Sequence, residues 1–294
     1  MGVAELAPPI PVPRRRGARA VARRLLRDRR ATAGAVLLAV VAAAALTAPW
    51  IAPYDPGAQT ADILVAPGRT HPLGTDDLGR DLLSRIIFGG RISLLVGLVT
   101  VALAAAVGAL LGLVAGYYGR WVDTLVMRYI DLQWAFPNFI IAVGLVAIFG
   151  TGLANVIVAI TLAFLDDFAR ITRGMVLAIR GEEYVAAARA LGASDRRIIF
   201  RHILPNAVSP IIVQGTVSIS YAILGEAGLS FLGLGVKPTT PTWGLILNDA
   251  RPFFVSAWWL GVFPGLAIML VVLSINFVGD ALRDLLDVRE YVGR

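Results

Sequence analysis

Four carboxylates stand inside long apolar runs of this chain, where charge is least tolerated: Asp131, Asp166, Asp167 and Glu226. Within a bilayer each costs free energy unless it is paired or faces water, so each is a candidate for lining or gating a solute pathway. Every one also has a plainer reading. Asp166 and Asp167 precede Arg170 by four and three residues, which suits an intrahelical ion pair near a membrane interface. Adjacent residues on a helix point about 100° apart, so Arg170 cannot serve both equally. The expectation is that one pairs with Arg170 and the other faces a hydrated inner cavity. Glu226 suits gating at the outer end of a span, and simple helix packing equally.

Other chemistry finds little support. Residues 74–81 place Gly74, Gly79, Arg80 and Asp81 at nearly the spacing of a phosphate-binding loop. Such a loop needs a lysine on the phosphates and a hydroxyl on magnesium. Here an arginine and an aspartate stand there, Asp76 and Asp77 add repulsion, and the only lysine is Lys237. Nucleotide binding by this chain is not expected. The chain has no cysteine and two histidines. Thiolate chemistry, disulfides and cysteine metal sites are therefore excluded. His71 and His202 fall on opposite sides of the membrane in the topology below, and no metal-ligand spacing appears. A membrane-embedded enzyme is disfavoured, because no nucleophile, base and metal set converges.

Residues 182–206 form an arginine-rich, helix-forming stretch between apolar runs. A bundle of spans does not need about 25 such residues merely to turn round. From Glu183, the positions Tyr184, Ala187, Ala188 and Leu191 share one helical face. Gly192 suits the left-handed position past a helix end. Ser194 is a good N-cap for a second helix, and Asp195 sets a carboxylate at its positive end. That helix is expected to stop before Pro205, which also restricts Leu204. Arg189, Arg196, Arg197 and Arg201 make the pair cationic. Spacing alone leaves open whether this is a docking element or a surface hairpin that satisfies only its own backbone.

The elements around these residues are those of a polytopic membrane protein. Hydrophobic residues make up 57% and charged residues 16%, with mean hydropathy +0.74. Residues 1–30 read as a disordered basic cytosolic tail, proline-rich and then arginine-rich. The first span covers 31–51, retained as an anchor because it is too long for a signal-peptide core and further spans follow. Thr75 or Asp76 can cap an amphipathic outer helix carrying Leu78, Leu82 and Ile86, broken at Gly89-Gly90. The second span follows at 92–118, with a stripe of Ala104, Gly108, Gly112 and Gly116 for close helix approach. The third, 122–150, is interrupted at Arg128, Asp131 and Pro137. The fourth starts at Leu153 and the fifth covers 207–234. A proline-rich outer loop spans 235–257, and the sixth span 258–278 opens with Trp258-Trp259 as an interfacial belt. Residues 281–294 are a cytosolic tail. With both termini inside, the inner segments hold nine arginines in the tail, Arg120 and Arg128, seven around residues 170–201 and three at the C-terminus. The outer segments hold six basic residues. The asymmetry fixes the expected orientation and accounts for the net charge of +7 without nucleic acid.

Ala187-Ala188, Gly192 and Leu204-Pro205 resemble the EAA loop of bacterial ABC-importer permeases: Glu-Ala-Ala, three residues, Gly, nine residues, Ile-x-Leu-Pro. Ala186 stands where the glutamate is usual and His202 where the first isoleucine is usual, departures that look like the peptide-transporter branch. Together with residues 71–94 (HPLGTDDLGRDLLSRIIFGGRISL), the motif resembles the C-type permease subunit of dipeptide/oligopeptide importers, over most of the chain.

The resemblance implies an all-α type I ABC-importer permease with six transmembrane helices. Residues 31–90 hold the first span, which wraps a partner, and the outer segment. Residues 91–280 form the transport core, with the coupling loop at 182–206. It implies ATPase coupling through Glu183, Ala187, Ala188, Leu191, Gly192, Arg196, Arg197 and Pro205. Pathway or gating roles fall to Asp131, Asp166, Asp167 and Glu226, and Glu226 with the following GLSFLGLG suits binding-protein contact. The implied partners are a second homologous permease subunit, two ATPase subunits, an extracytoplasmic substrate-binding protein and membrane lipid, with no nucleic acid. ATP and magnesium belong to the ATPase subunits; this chain itself holds no cofactor, metal or catalytic residue. The location implied is the bacterial inner membrane. Nickel or another small solute is the alternative cargo. An ion-coupled secondary transporter is the rival from another class, and it would not need the coupling loop.

Overall fold

The computed structural model of the chain describes residues 28–286. The expectations for the arginine tail before residue 28 and for the last eight residues lie outside the described residues. Apart from one isolated bridge between Thr75 and Asp81, every regular element among the described residues is helical.

Helix α1 (Arg29–Leu46) begins where the Asp28 carboxylate accepts from the Arg30 and Ala31 amides. A short turn, α2 (Ala48–Ile51), follows. Residues 52–81 then fold back over the end of the bundle. Tyr54 packs on His71 at 4.8 Å, and His71 Nδ1 lies 2.9 Å from Asp81 Oδ1. Arg85, 2% exposed, pairs with Asp76 and, at 3.0 Å, with Asp249. Arg80 reaches the same two carboxylates at 2.6 and 3.2 Å. The acidic residues of the Gly74–Gly79 segment thus neutralise arginines of their own chain. Burial, then the neighbouring Asp76 and Asp249 carboxylates, hold the Asp77 carboxyl above its ordinary value.

Helix α3 (Leu82–Tyr118) overturns the expected outer helix. The cap is Asp81, which accepts from the Ser84 amide at 2.8 Å, rather than Thr75 or Asp76. The helix runs through Gly89-Gly90 without a break. The glycines serve close approach: a β-carbon on Gly90 would lie 3.1 Å from the Trp243 ring, and one on Gly89 3.3 Å from the Thr242 backbone. Trp243 fills this space, 1% exposed, and its indole N–H donates to the Ile86 carbonyl at 3.0 Å.

The third expected span is two helices, α4 (Arg120–Trp134) and α5 (Asn138–Phe149), bent by 93° at the break containing Pro137. Helix α6 (Leu153–Ile179) is continuous through the Asp166-Asp167 pair and packs most extensively against α3. The small-residue stripe makes that contact. A β-carbon on Gly108 would sit 2.4 Å from the Leu165 carbonyl oxygen, and one on Gly112 2.4 Å from that of Ala169. The main core forms here, from Val96, Val101, Ala104, Ile160, Phe168 and Leu229 among others.

After the polar hairpin come α9 (Leu204–Phe231), α10 (Trp243–Ala250) and α11 (Trp259–Leu286). The expected outer loop therefore contains a packed helix, α10. Trp259 is buried rather than interfacial, donating to the Thr75 carbonyl at 3.2 Å, while Trp258 is exposed. Gly34 lets α1 lie on α11, with its Cα facing the Ser274 carbonyl, and Val36 and Val40 point outward, each 58% exposed. Among the described residues, four helices are long and apolar enough to cross a membrane, five if α4 and α5 count as one bent span. Helix α6 has 27 residues, about 40 Å at 1.5 Å per residue, but carries Asp166, Asp167, Arg170 and Arg173.

Candidate coupling surface and translocation face

The polar stretch folds as α7 (Glu183–Ala190), a glycine turn, α8 (Asp195–Ile198) and a π-helical turn (Ile199–Ile203) that leads directly into α9. Gly192 has φ +81°, in the left-handed region. Its N–H donates to the Arg189 carbonyl and the Ala193 N–H to that of Ala188, both at 3.0 Å. This pair of bonds is the Schellman ending that satisfies the last carbonyls of a helix. Ser194 caps α8, its Oγ accepting from the Arg197 amide at 3.4 Å.

The expected stop before Pro205 is corrected. Leu204 is helical, and Pro205 occupies the first turn of α9. Proline is tolerated there because a first-turn residue has no intrahelical partner for its N–H, and the wider π turn makes room upstream. The structure shows which side of the hairpin packs inward. Val185, Ile198, Ile199 and Ile203 are buried against Leu113, Tyr117, Val176 and Ile179 at one end of α3 and α6. The face with Tyr184, Ala187 and Leu191 looks outward, and Leu191 is 88% exposed. Ala188 is half-buried, as is Pro205; Glu183, Gly192, Arg196 and Arg197 are exposed. The hairpin thus buries one apolar side and presents a second, apolar and cationic side.

Tyr117, which sequence reasoning missed, fastens the hairpin to α3. Its hydroxyl donates to Asp195 Oδ1 at 2.5 Å and accepts from Arg189 Nη2 at 3.2 Å, so one side chain holds both short helices. That hydroxyl holds the Arg189 guanidinium above its ordinary value. Arg180 closes the same corner by donating to the Gly116 and Tyr117 carbonyls at 2.8 and 3.2 Å.

The intramembrane carboxylates do not form one site. Asp131 accepts from Arg170 at 2.7 Å, and the Arg170 guanidinium lies over the Trp134 ring at 4.1 Å. The expected pairing of Arg170 with Asp166 or Asp167 is thereby corrected: α4 crosses α6 closely enough to take the arginine. Asp123 joins the same face, accepting from Arg173 at 2.5 and 2.6 Å. Asp166 is 1% exposed, and its Oδ1 has no hydrogen-bond partner among the described residues. Glu226 is fully buried, accepting from Ser93 at 3.0 Å and Ser230 at 2.7 Å with the Thr242 side chain beside it. It joins α3, α9 and the start of α10.

Asp167 is different. It is half-buried and lines a cavity of about 360 Å³ between α5, α6 and α9. Phe139, Ile160, Phe164 and Leu224 form apolar walls, and Asn138 and Tyr221 add polar groups. Gln214, Tyr221 and Leu224 recur at helical spacing on α9, a stripe that was readable in the sequence beside the more conspicuous Glu226.

Comparison with known proteins agrees with this geometry. Residues 108–290 match the family model "binding-protein-dependent transport system inner membrane component", and 18–67 match "N-terminal TM domain of oligopeptide transport permease C". The di/tripeptide transport system permease protein DppC of Pseudomonas aeruginosa is 47% identical over 264 residues, 87% of each chain. The glutathione transport system permease protein GsiD of an Escherichia coli strain is 45% identical over 267 residues, 90% of this chain and 88% of its own. Among solved structures, an inward-facing form of the MetNI methionine ABC transporter superposes with TM-score 0.56 at 20% identity, over 69% of this chain and 96% of that one. The fold is that of a type I ABC-importer permease. The chain belongs to the family of binding-protein-dependent transport system inner membrane components, and is a non-catalytic, multi-pass permease subunit of an ABC transporter.

Proposed function

We propose that this chain is one of two permease subunits of an ATP-driven importer of di- and oligopeptides. The observation that carries the reading is the hairpin at 182–206. Its inner side is fixed to α3 and α6 by the Val185–Ile203 cluster and by Tyr117, and its outer side exposes Tyr184, Ala187, Leu191, Arg196 and Arg197. An element built this way passes force between an external partner and the bundle core. Peptide as cargo follows from the names of relatives, which include di/tripeptide and glutathione permeases.

In this reading α6 is a span despite its charges, giving six spans with both termini cytosolic. Asp131–Arg170 and Asp123–Arg173 pair both arginines of α6 within the protein. A second homologous permease completes the pathway on the α5–α9 face. Two ATPase subunits, which hold ATP and magnesium, grip Glu183, Ala187, Ala188, Leu191, Gly192, Arg196 and Arg197, and Pro205 sets the start of α9 behind them. A binding protein docks outside, near residues 52–81 and α10. The outward side of α1 faces lipid or wraps the partner permease.

The test is copurification of the tagged chain from its native membrane, followed by identification of its partners and of the binding protein's ligand. Recovery of an ATPase pair and a peptide-loaded binding protein is expected. A binding protein loaded with nickel or a sugar, or recovery of the chain with no ATPase, would overturn the reading.

A further inference from the structure

The Asp167 carboxylate is the one charged group that meets the cavity between α5, α6 and α9. Three observations mark it out. Its nearest cation, Arg170, is already engaged by Asp131 and stacked on Trp134. Its one polar side-chain contact among the described residues is a 3.4 Å bond from Gln214 Nε2, while a carboxylate can accept about four. The rest of the lining is predominantly apolar, so the acceptor capacity is presented to the cavity. Arg170 acts on Asp167 only through space, with its ion pair on Asp131; a carboxylate without an ion pair of its own in a membrane domain is costly, and such residues serve where a charged or hydrated group passes. The cavity, about 360 Å³, falls in the range of small-molecule sites, roughly 300–1,000 Å³.

We propose that Asp167 binds the α-ammonium group of a short peptide in transit, with Phe139, Phe164 and Leu224 receiving its side chains and Gln214 holding the carboxylate in place. This rests on the peptide-importer reading above. Asp131, Asp166 and Glu226 are excluded from the role by their surroundings: an arginine, burial and a set of hydroxyls respectively.

The chain has no cysteine, so a single introduced thiol reports on the cavity. The assembled transporter carrying Leu224→Cys, without binding protein, is reacted with a maleimide in the presence of millimolar Ala-Phe, N-acetyl-Ala-Phe or N-acetyl-lysine. Ala-Phe is expected to slow labelling at least fivefold and the two acetylated compounds less than twofold. Adding Asp167→Asn should abolish the difference, and Asp167→Glu should retain it. Equal protection by Ala-Phe and its acetyl form, or a difference that survives Asp167→Asn, would overturn the proposal. Protection by N-acetyl-lysine as strong as by Ala-Phe would assign the site to any alkylammonium and overturn it as well. If Leu224→Cys prevents assembly, the same series is run with Tyr221→Cys. Uptake of labelled Ala-Phe by the wild-type transporter, measured in parallel, tests the importer reading separately: a transporter that imports Ala-Phe but shows no ammonium-dependent protection contradicts only the role of Asp167.

Discussion

Replacing Gly192 by valine isolates the conformational demand of the coupling turn. No atom outside its chain neighbours lies within 4 Å of where a β-carbon would stand, so the substitution meets no steric block. What it meets is φ +81°. An L-residue in that region costs about 1–2 kcal/mol, more for a β-branched one. A shift of that size changes a local equilibrium about 5- to 30-fold. The two 3.0 Å bonds to the Arg189 and Ala188 carbonyls exist only in the native turn, so the valine chain favours hairpins with α7 and α8 misaligned. Asparagine accepts the left-handed region far better and serves as the control. The assay is uptake by the assembled transporter, with membrane yield and ATPase copurification measured on the same preparations. Valine should leave yield unchanged and lower copurification and uptake several-fold, and asparagine should stay near wild type. Wild-type uptake with valine, or equal loss with both residues, would refute the turn's role in docking.

Other outcomes follow from the packing and the charges. Gly108→Ala drives a β-carbon toward a backbone oxygen 2.4 Å away and should destabilise the bundle by about 1–3 kcal/mol in detergent unfolding; Gly144→Ala, which meets nothing within 4 Å, should not. Arg85→Met leaves Asp76 and Asp249 to Arg80 alone, and the lost charge-assisted bonds should cost about 1.5–3 kcal/mol, visible as a fall in thermal midpoint. Asp77 has a raised pKa, so the folded state binds its proton more tightly than the unfolded chain. Its stabilising contribution is complete below 3.8 and is lost as pH rises through the higher folded value. Asp77→Asn should therefore raise the thermal midpoint at neutral pH and flatten its decline above pH 4. Tyr117→Phe, which removes the hydroxyl that meets Asp195 and Arg189, should lower uptake per ATP hydrolysed while sparing yield.

The sequence made the local features legible where one residue type answers one backbone demand. Gly192, Ser194 and the stripe of Ala104, Gly108, Gly112 and Gly116 all do what their types suggest, because left-handed turns, caps and close helix approach are short-range requirements. Errors arose where tertiary partners override local preference. Gly89-Gly90 reads as a break, yet the helix continues because Trp243, about 150 residues away, needs the space. Pro205 reads as a stop, yet a π turn upstream makes it a first-turn residue. Arg170 reads as the partner of Asp166 or Asp167 at helical spacing, yet Asp131 on α4 takes it. No periodicity announces such a crossing. The same limit hid the Asp123–Arg173 pair, the Tyr117 fastening and the cavity at Asp167. Spacing showed that Tyr184, Ala187 and Leu191 share a face but not which way it looks: Val185 alone anchors α7, and the larger Tyr184 and Leu191 point outward.

The most direct test of the transport assignment is peptide uptake by the complete assembly. The chain, its partner permease and the ATPase subunits are reconstituted in liposomes with ATP inside and the binding protein with a labelled dipeptide outside. Accumulation of dipeptide above its external concentration is predicted, dependent on internal ATP and on the binding protein, and lost when Arg196 and Arg197 on the hairpin's exposed side are both changed to glutamate. Accumulation that persists without ATP and follows an imposed ion gradient would contradict the account and identify an ion-coupled carrier.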